Sequence, residues 1–112
     1  MSMESELIRL RDGFVNGGFD YAYNLFPTDA NAPELPFVTA YVSGGDGFLA
    51  DDENYRDTMD VVLCLFTKVK APSVEDRVRG ILHDLGLVYS WSESYVSDEQ
   101  VYVVTYNFTM EV

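Results

Sequence analysis

One cysteine and one histidine in 112 residues remove most of the usual site chemistry from this chain. A lone thiol, Cys64, builds neither a disulfide framework nor a thiolate metal site within the chain, and its place inside an apolar run makes it a small core hydrophobe. Cations are nearly as scarce, with 7 Lys and Arg against 19 Asp and Glu for a formal net charge of −12. Affinity for a phosphate backbone comes from clustered cations that displace counterions, so specific nucleic-acid binding is not expected. No apolar run approaches the roughly 20 residues of a membrane span, and the acidic amphipathic start does not read as a signal peptide. No membrane partner is expected either. Of 4 prolines, three fall in PTDANAPELP at residues 27–36. That segment is expected to be a connecting loop.

What is present is apolar and aromatic. Hydrophobic residues at 47% and aromatics at 14% exclude a disordered chain. This length buries about 65% of the unfolded surface in one core, so residues 1–112 read as a single domain. Val61, Val62, Leu63, Cys64, Leu65 and Phe66 form an unbroken apolar run, the pattern of a central strand covered on both faces. After Ala71-Pro72, the residues Val74, Val78, Ile81, Leu82 and Leu85 share one arc of about 100° on a helix. Ser73 is expected to cap it, Glu75 and Arg79 to pair, and Gly86 to supply a left-handed stop.

Met3, Leu7, Ile8, Leu10, Phe14 and Val15 recur at helical spacing before Asn16-Gly17-Gly18. Arg11 falls inside that arc, either with its stem on the sheet and its head in water or as a buried ion pair. Phe19 to Phe26 and Phe37 to Val42 read as strands. Ser43-Gly44-Gly45-Asp46-Gly47 is expected to end the second, leaving a long acidic connection before the central strand begins near Thr58. Leu87 to Val96 and Val101 to Val112 alternate as a hairpin. The register Val96 opposite Val101 also sets Tyr95 opposite Tyr102, Trp91 opposite Tyr106, Tyr89 opposite Phe108 and Leu87 opposite Met110. All the large apolar residues then lie on one covered face, Trp91 included. The expected fold is α+β, in the order α-β-β-β-α-β-β, a largely antiparallel sheet of four to five strands packed against two helices.

No group of residues carries recognisable catalytic spacing. His83 points away from its helix's apolar arc and has no partner for metal or nucleophile chemistry. Asp51, Asp52 and Glu53 lack the alternating ligands of a calcium loop. Gly44-Gly45-Asp46-Gly47 opens no helix and has no lysine nearby, so a turn accounts for it better than a phosphate loop. An acidic surface is compatible with a solubility device, a match for a basic partner, or a channel lining past which a polyanion slides. Phe48, Leu49 and Tyr55 are apolar residues within an acidic connection. They either tuck onto their own domain or form a contact surface.

The order of elements, with FLADDENY at 48–55, LFTKVK at 65–70, the helix opening SVED, and SESYVSDEQVYVVTYNF at 92–108, resembles a family of small phage and prophage proteins. These are the tail-terminator or tail-completion proteins of long non-contractile tails, also labelled minor capsid or head-tail joining proteins. The resemblance implies a non-enzymatic virion protein without cofactors or metals. It implies a self-assembled ring, usually a hexamer, that caps the tail tube and joins it to the head connector. Tail-tube and head-connector proteins are then its partners. The segment from Gly44 to Asp57 is the part expected to meet them, with Phe48, Leu49, Asp51, Asp52 and Tyr55 as contact residues. PTDANAPELP is longer and richer in proline than the compact connection expected there. A head-side connector or stopper is the nearest alternative function, and a monomeric module binding a small ligand or peptide is the alternative from another class.

Overall fold

A computed structural model describes residues 2–24, 34–49 and 55–112, with only the backbone described for Tyr55. The chain is α+β in the expected order: α1 (Met3–Asn16), β1 (Tyr21–Tyr23), β2 (Phe37–Leu49), β3 (Tyr55–Thr67), α2 (Pro72–Asp84), β4 (Tyr89–Val96) and β5 (Val101–Glu111). The five strands form one sheet in the order β1-β2-β3-β5-β4. Three of its pairings are antiparallel, and the short β1 lies parallel to β2 at the edge. The molecule is elongated, 51 × 26 × 26 Å.

Two helices cover one face of this sheet. Leu10 and Phe14 from α1 and Val78 and Leu82 from α2 join Val38, Ala40, Val61, Leu63, Leu65, Val104, Tyr106 and Phe108 in one core. β3 is central as expected, but its two faces differ. Val61, Leu63 and Leu65 are sealed under the helices, whereas Cys64 and Phe66 on the reverse face are only half-buried. On that reverse face Phe66 stacks on Phe37 at 5.0 Å, and the Cys64 thiol lies 3.8 Å from the Thr105 hydroxyl. Burial pushes the Cys64 thiol up from its ordinary range.

The helices lie antiparallel, with Gly13 facing Leu85 and Gly17 facing Ile81. A Cβ on Gly17 would stand 2.6 Å from the Ile81 side chain, so the absence of one lets the pair close. Each helix also satisfies the other's last carbonyls, which have no partner within their own helix. Arg9 donates to Leu85 O at 3.1 Å, and Arg77 donates to Gly17 O at 3.0 Å while its guanidinium covers the Phe19 ring. Arg11 is not a buried ion pair: its head is in water, paired with the exposed Asp12. The buried stripe of α1 is centred on Leu10 and Phe14, which leaves Met3, Ile8 and Val15 exposed.

Several local expectations are corrected. The N-cap of α2 is Ala71, with no side-chain cap, and the helix starts on Pro72, whose missing N–H costs nothing at that position. Glu75 does not pair with Arg79. It is buried, with Lys70 at 2.8 Å, while Arg79 pairs with Asp76. Gly86 does end the helix with φ +74°. The first strand is only Tyr21–Tyr23, stopped by Asn24 at φ 69°. Residues 25–33, most of the proline-rich connection, lie outside the described residues.

The β4–β5 register is as expected from Tyr89↔Phe108 to Val96↔Val101, with Trp91 opposite Tyr106. Leu87 does not pair with Met110. Its N–H donates to Leu82 O at 3.0 Å, which ties it to the end of α2. Trp91 shares the helix-side face with Tyr106 yet is 52% exposed, while Tyr106 is fully buried. The reason is position: β4 is the edge strand, and among the described residues no further strand lies beyond it.

Candidate functional site

Of the segment from Gly44 to Asp57, expected as a loop, the described residues Gly44 to Leu49 and Tyr55 to Asp57 instead continue β2 and β3. β2 and β3 stay paired from Phe37↔Phe66 to Leu49↔Tyr55, with one register shift between Val42 and Gly44. Side-chain clips carry the pairing through the glycines. Thr58 Oγ1 accepts from Asp46 N at 3.2 Å and donates to Asp46 O at 3.3 Å, and Ser43 Oγ donates to Asp60 O at 3.4 Å. Gly45 is required here, because a Cβ would stand 2.0 Å from Thr58 O.

This outer half is an arm. β5 stops pairing at Thr58↔Glu111, so beyond Asp46 the arm is two strands wide. Gly47 to Leu49, the described two-stranded part, extend about 10 Å at the usual rise of a strand. Every residue from Ser43 to Leu49 is exposed, Phe48 by 46% and Leu49 by 63%. The Arg56–Glu111 ion pair and the Val112 N–H to Asp57 O bond of 2.9 Å brace its base. Of the residues expected to make contacts, Phe48 and Leu49 therefore stand near the tip. Tyr55 opens β3 opposite Leu49. Asp51 and Asp52 lie outside the described residues.

A second exposed apolar region lies on the opposite side of the sheet and was missed in the sequence. Along β4, Trp91 and Tyr95 are 52% and 51% exposed, and Val88 just before it is 90% exposed. The alternation that suggested a covered face is real, but alternation cannot tell an edge strand from an inner one. β4 carries one charge, Glu93, which shares Lys70 with the buried Glu75 at 2.8 Å each. These carboxylates hold the Lys70 ammonium above its ordinary range, Glu75 foremost. Beside the start of β4, an open groove of about 580 Å³ is lined by Ser43, Asp60, Val88, Ser90, Asn107 and Thr109, among others.

The charge distribution follows from these pairings. Among the described residues, five of the seven cations sit in ion pairs with carboxylates. Arg77 is engaged by Gly17 O and Phe19. The acidic excess therefore faces outward with few free cations beside it. His83 is exposed, its ring 5.8 Å from that of Tyr89. Among the described residues no group of three or more His, Cys, Asp or Glu side chains converges as a metal site, and no helix is long and apolar enough to cross a membrane. No family model matches this sequence, and no curated protein matches it significantly.

Proposed function

We propose that this chain is a structural subunit of a phage or prophage tail, forming a ring that caps the tail tube and joins it to the head connector. The observation that carries this reading is the arm: a two-stranded extension with Phe48 and Leu49 exposed near its tip, standing off a body whose core it does not help to close. Isolated two-stranded hairpins are marginal in water, so an arm of this kind gains its order from what it touches. The acidic surface supports the same reading, since a negatively charged lumen lets DNA pass without holding it. Function here rests on surfaces rather than a reactive centre, and the protein acts inside an assembled virion.

The test is assembly. Mass measurements over a range of concentrations, with and without tail tubes, are expected to show a defined oligomer whose images are rings seated on tube ends. A chain that stays monomeric with tubes present, and leaves tube ends bare, would contradict the proposal.

A further inference from the structure

The sheet has two open edges, on opposite sides of the molecule. One is β4, regular over 8 residues from Tyr89 to Val96 and, among the described residues, paired only to β5. The other is the outer part of β2, since β1 covers it at Val38–Ala40 and, among the described residues, no strand pairs with Tyr41 to Leu49 on that side. Edges of this length are usually blunted by charge, proline or a covering element, because their free N–H and C=O groups template pairing with another chain. On β4 the single charge is neutralised by Lys70, and the strand contains no proline.

The two edges match in sense. The antiparallel pairs β2–β3, β3–β5 and β5–β4 make β2 and β5 run one way and β3 and β4 the other. Copies related by rotation about a ring axis all keep the same strand sense. One copy's β4 therefore meets the next copy's β2 antiparallel, the pairing with the straighter hydrogen bonds. Two copies of β4 meet antiparallel only in a closed two-fold dimer.

They also match in shape. β4 presents bulky side chains, Trp91 and Tyr95, whereas β2 presents Gly44, Gly45 and Gly47. Glycine within a strand often marks a place where another chain approaches closely, and a neighbouring aromatic compensates for its missing side chain. Gly45 is explained by its own partner strand, but a Cβ on Gly44 would meet nothing within 4 Å. Neither space nor a positive φ within the subunit requires glycine at position 44.

We propose that these edges are the two halves of one joint: the glycine-rich edge of β2 in one copy adds as an antiparallel strand to β4 of the next, with Trp91 lying beside Gly45 and Ser92 beside Gly44. The joint rests on the ring reading and specifies how its members connect. A joint between two different surfaces repeats head to tail and closes when its rotation permits. The like charge of the copies opposes it, so salt strengthens it.

The experiment uses cysteine pairs in a Cys64→Ser background, with circular dichroism confirming the fold of each variant. Oxidation of Ser92→Cys combined with Gly44→Cys at assembling concentrations is expected to give a covalent ladder beyond the dimer, and neither single variant is expected to do so. The only tryptophan, Trp91, reports independently. Its emission is expected to shift to shorter wavelength on assembly. A covalent dimer from Ser92→Cys alone would mean β4 pairs with itself. A ladder from Ser92→Cys with Ala22→Cys would mean that β1 is the partner edge. Oligomers with neither the ladder nor the emission shift would overturn the joint and leave the ring reading standing. A monomer under all conditions, tail tubes included, would end both.

Discussion

The body and the arm of this chain share two strands and follow opposite rules. In the lower half of β2 and β3, Val38, Ala40, Leu63 and Leu65 are buried without remainder under two helices. In the upper half, the same strands carry Phe48 and Leu49 into solvent and are held by backbone pairing, Thr58 and the Arg56–Glu111 bridge. The first half has the composition of a core. The second has glycines, acids and isolated apolar side chains, and its stability comes from hydrogen bonds that contribute only about 1 kcal/mol net each. Continuous strands therefore need not mean continuous energetics: one half holds the fold and the arm beyond Asp46 adds, among the described residues, no buried side chain to it.

Substitutions should separate the halves in proportion to burial. The largest effect is expected in the body. Leu82→Ala removes a fully buried side chain of the helix-sheet core and should cost about 2 to 5 kcal/mol in chemical denaturation. In the arm, Gly45→Val forces a side chain into the Thr58 carbonyl. It should cost about 1 to 3 kcal/mol, the usual range for overpacking. The loss is expected to be confined to the arm, read as faster amide exchange near Asp46 and Thr58 while the Leu63 and Leu65 amides stay protected. Uniform loss of protection would mean that arm and body unfold as one.

Two smaller effects probe the body's polar defects. Tyr21 and Tyr106 hydroxyls are buried without a hydrogen-bond partner among the described residues. Burial foremost pushes both up to about 12 from the ordinary value of 10.0. An unfolded chain ionises these groups near pH 10 while the folded chain keeps them neutral until about 12, so their contribution is intact below pH 10 and lost between the two values. Denaturant midpoints are expected to fall across that window, and a flat profile would mean that the hydroxyls reach water. Tyr106→Phe removes an orphaned buried donor and should be neutral or stabilising by roughly 1 kcal/mol, where a partnered hydroxyl would show a loss.

Periodicity made the body legible. The run from Val61 to Phe66, the stripe from Val74 to Leu85 and the matched alternation of the last two strands gave the element order and the β4–β5 register. Each is enforced by burial, since a slip moves a whole set of side chains to the wrong face. The arm was misread because glycine usually breaks a strand. Here Gly44, Gly45 and Gly47 continue one, held by contacts from Thr58 that are remote in sequence. The exposure of Trp91 was hidden for a related reason. Alternation reports that one face is apolar but not whether anything within the chain lies beside it, and the buried Glu75 was likewise obscured by its capture by Lys70. Of the exposed apolar residues, Phe48 and Leu49 are visible in the sequence as apolar residues in an acidic stretch, whereas the open β4 edge depends on strand order and is not.

The most direct test of the arm's role is the double substitution Phe48→Ser and Leu49→Ser, measured for stability and assembly on the same preparation. Because both side chains are exposed in the chain, the unfolding free energy is expected to stay within about 0.5 kcal/mol of the parent. Ring formation or tail completion is expected to be lost. Unfolding of the double variant would place both residues in the core, and unchanged assembly by a stable variant would remove the arm's tip from the interface.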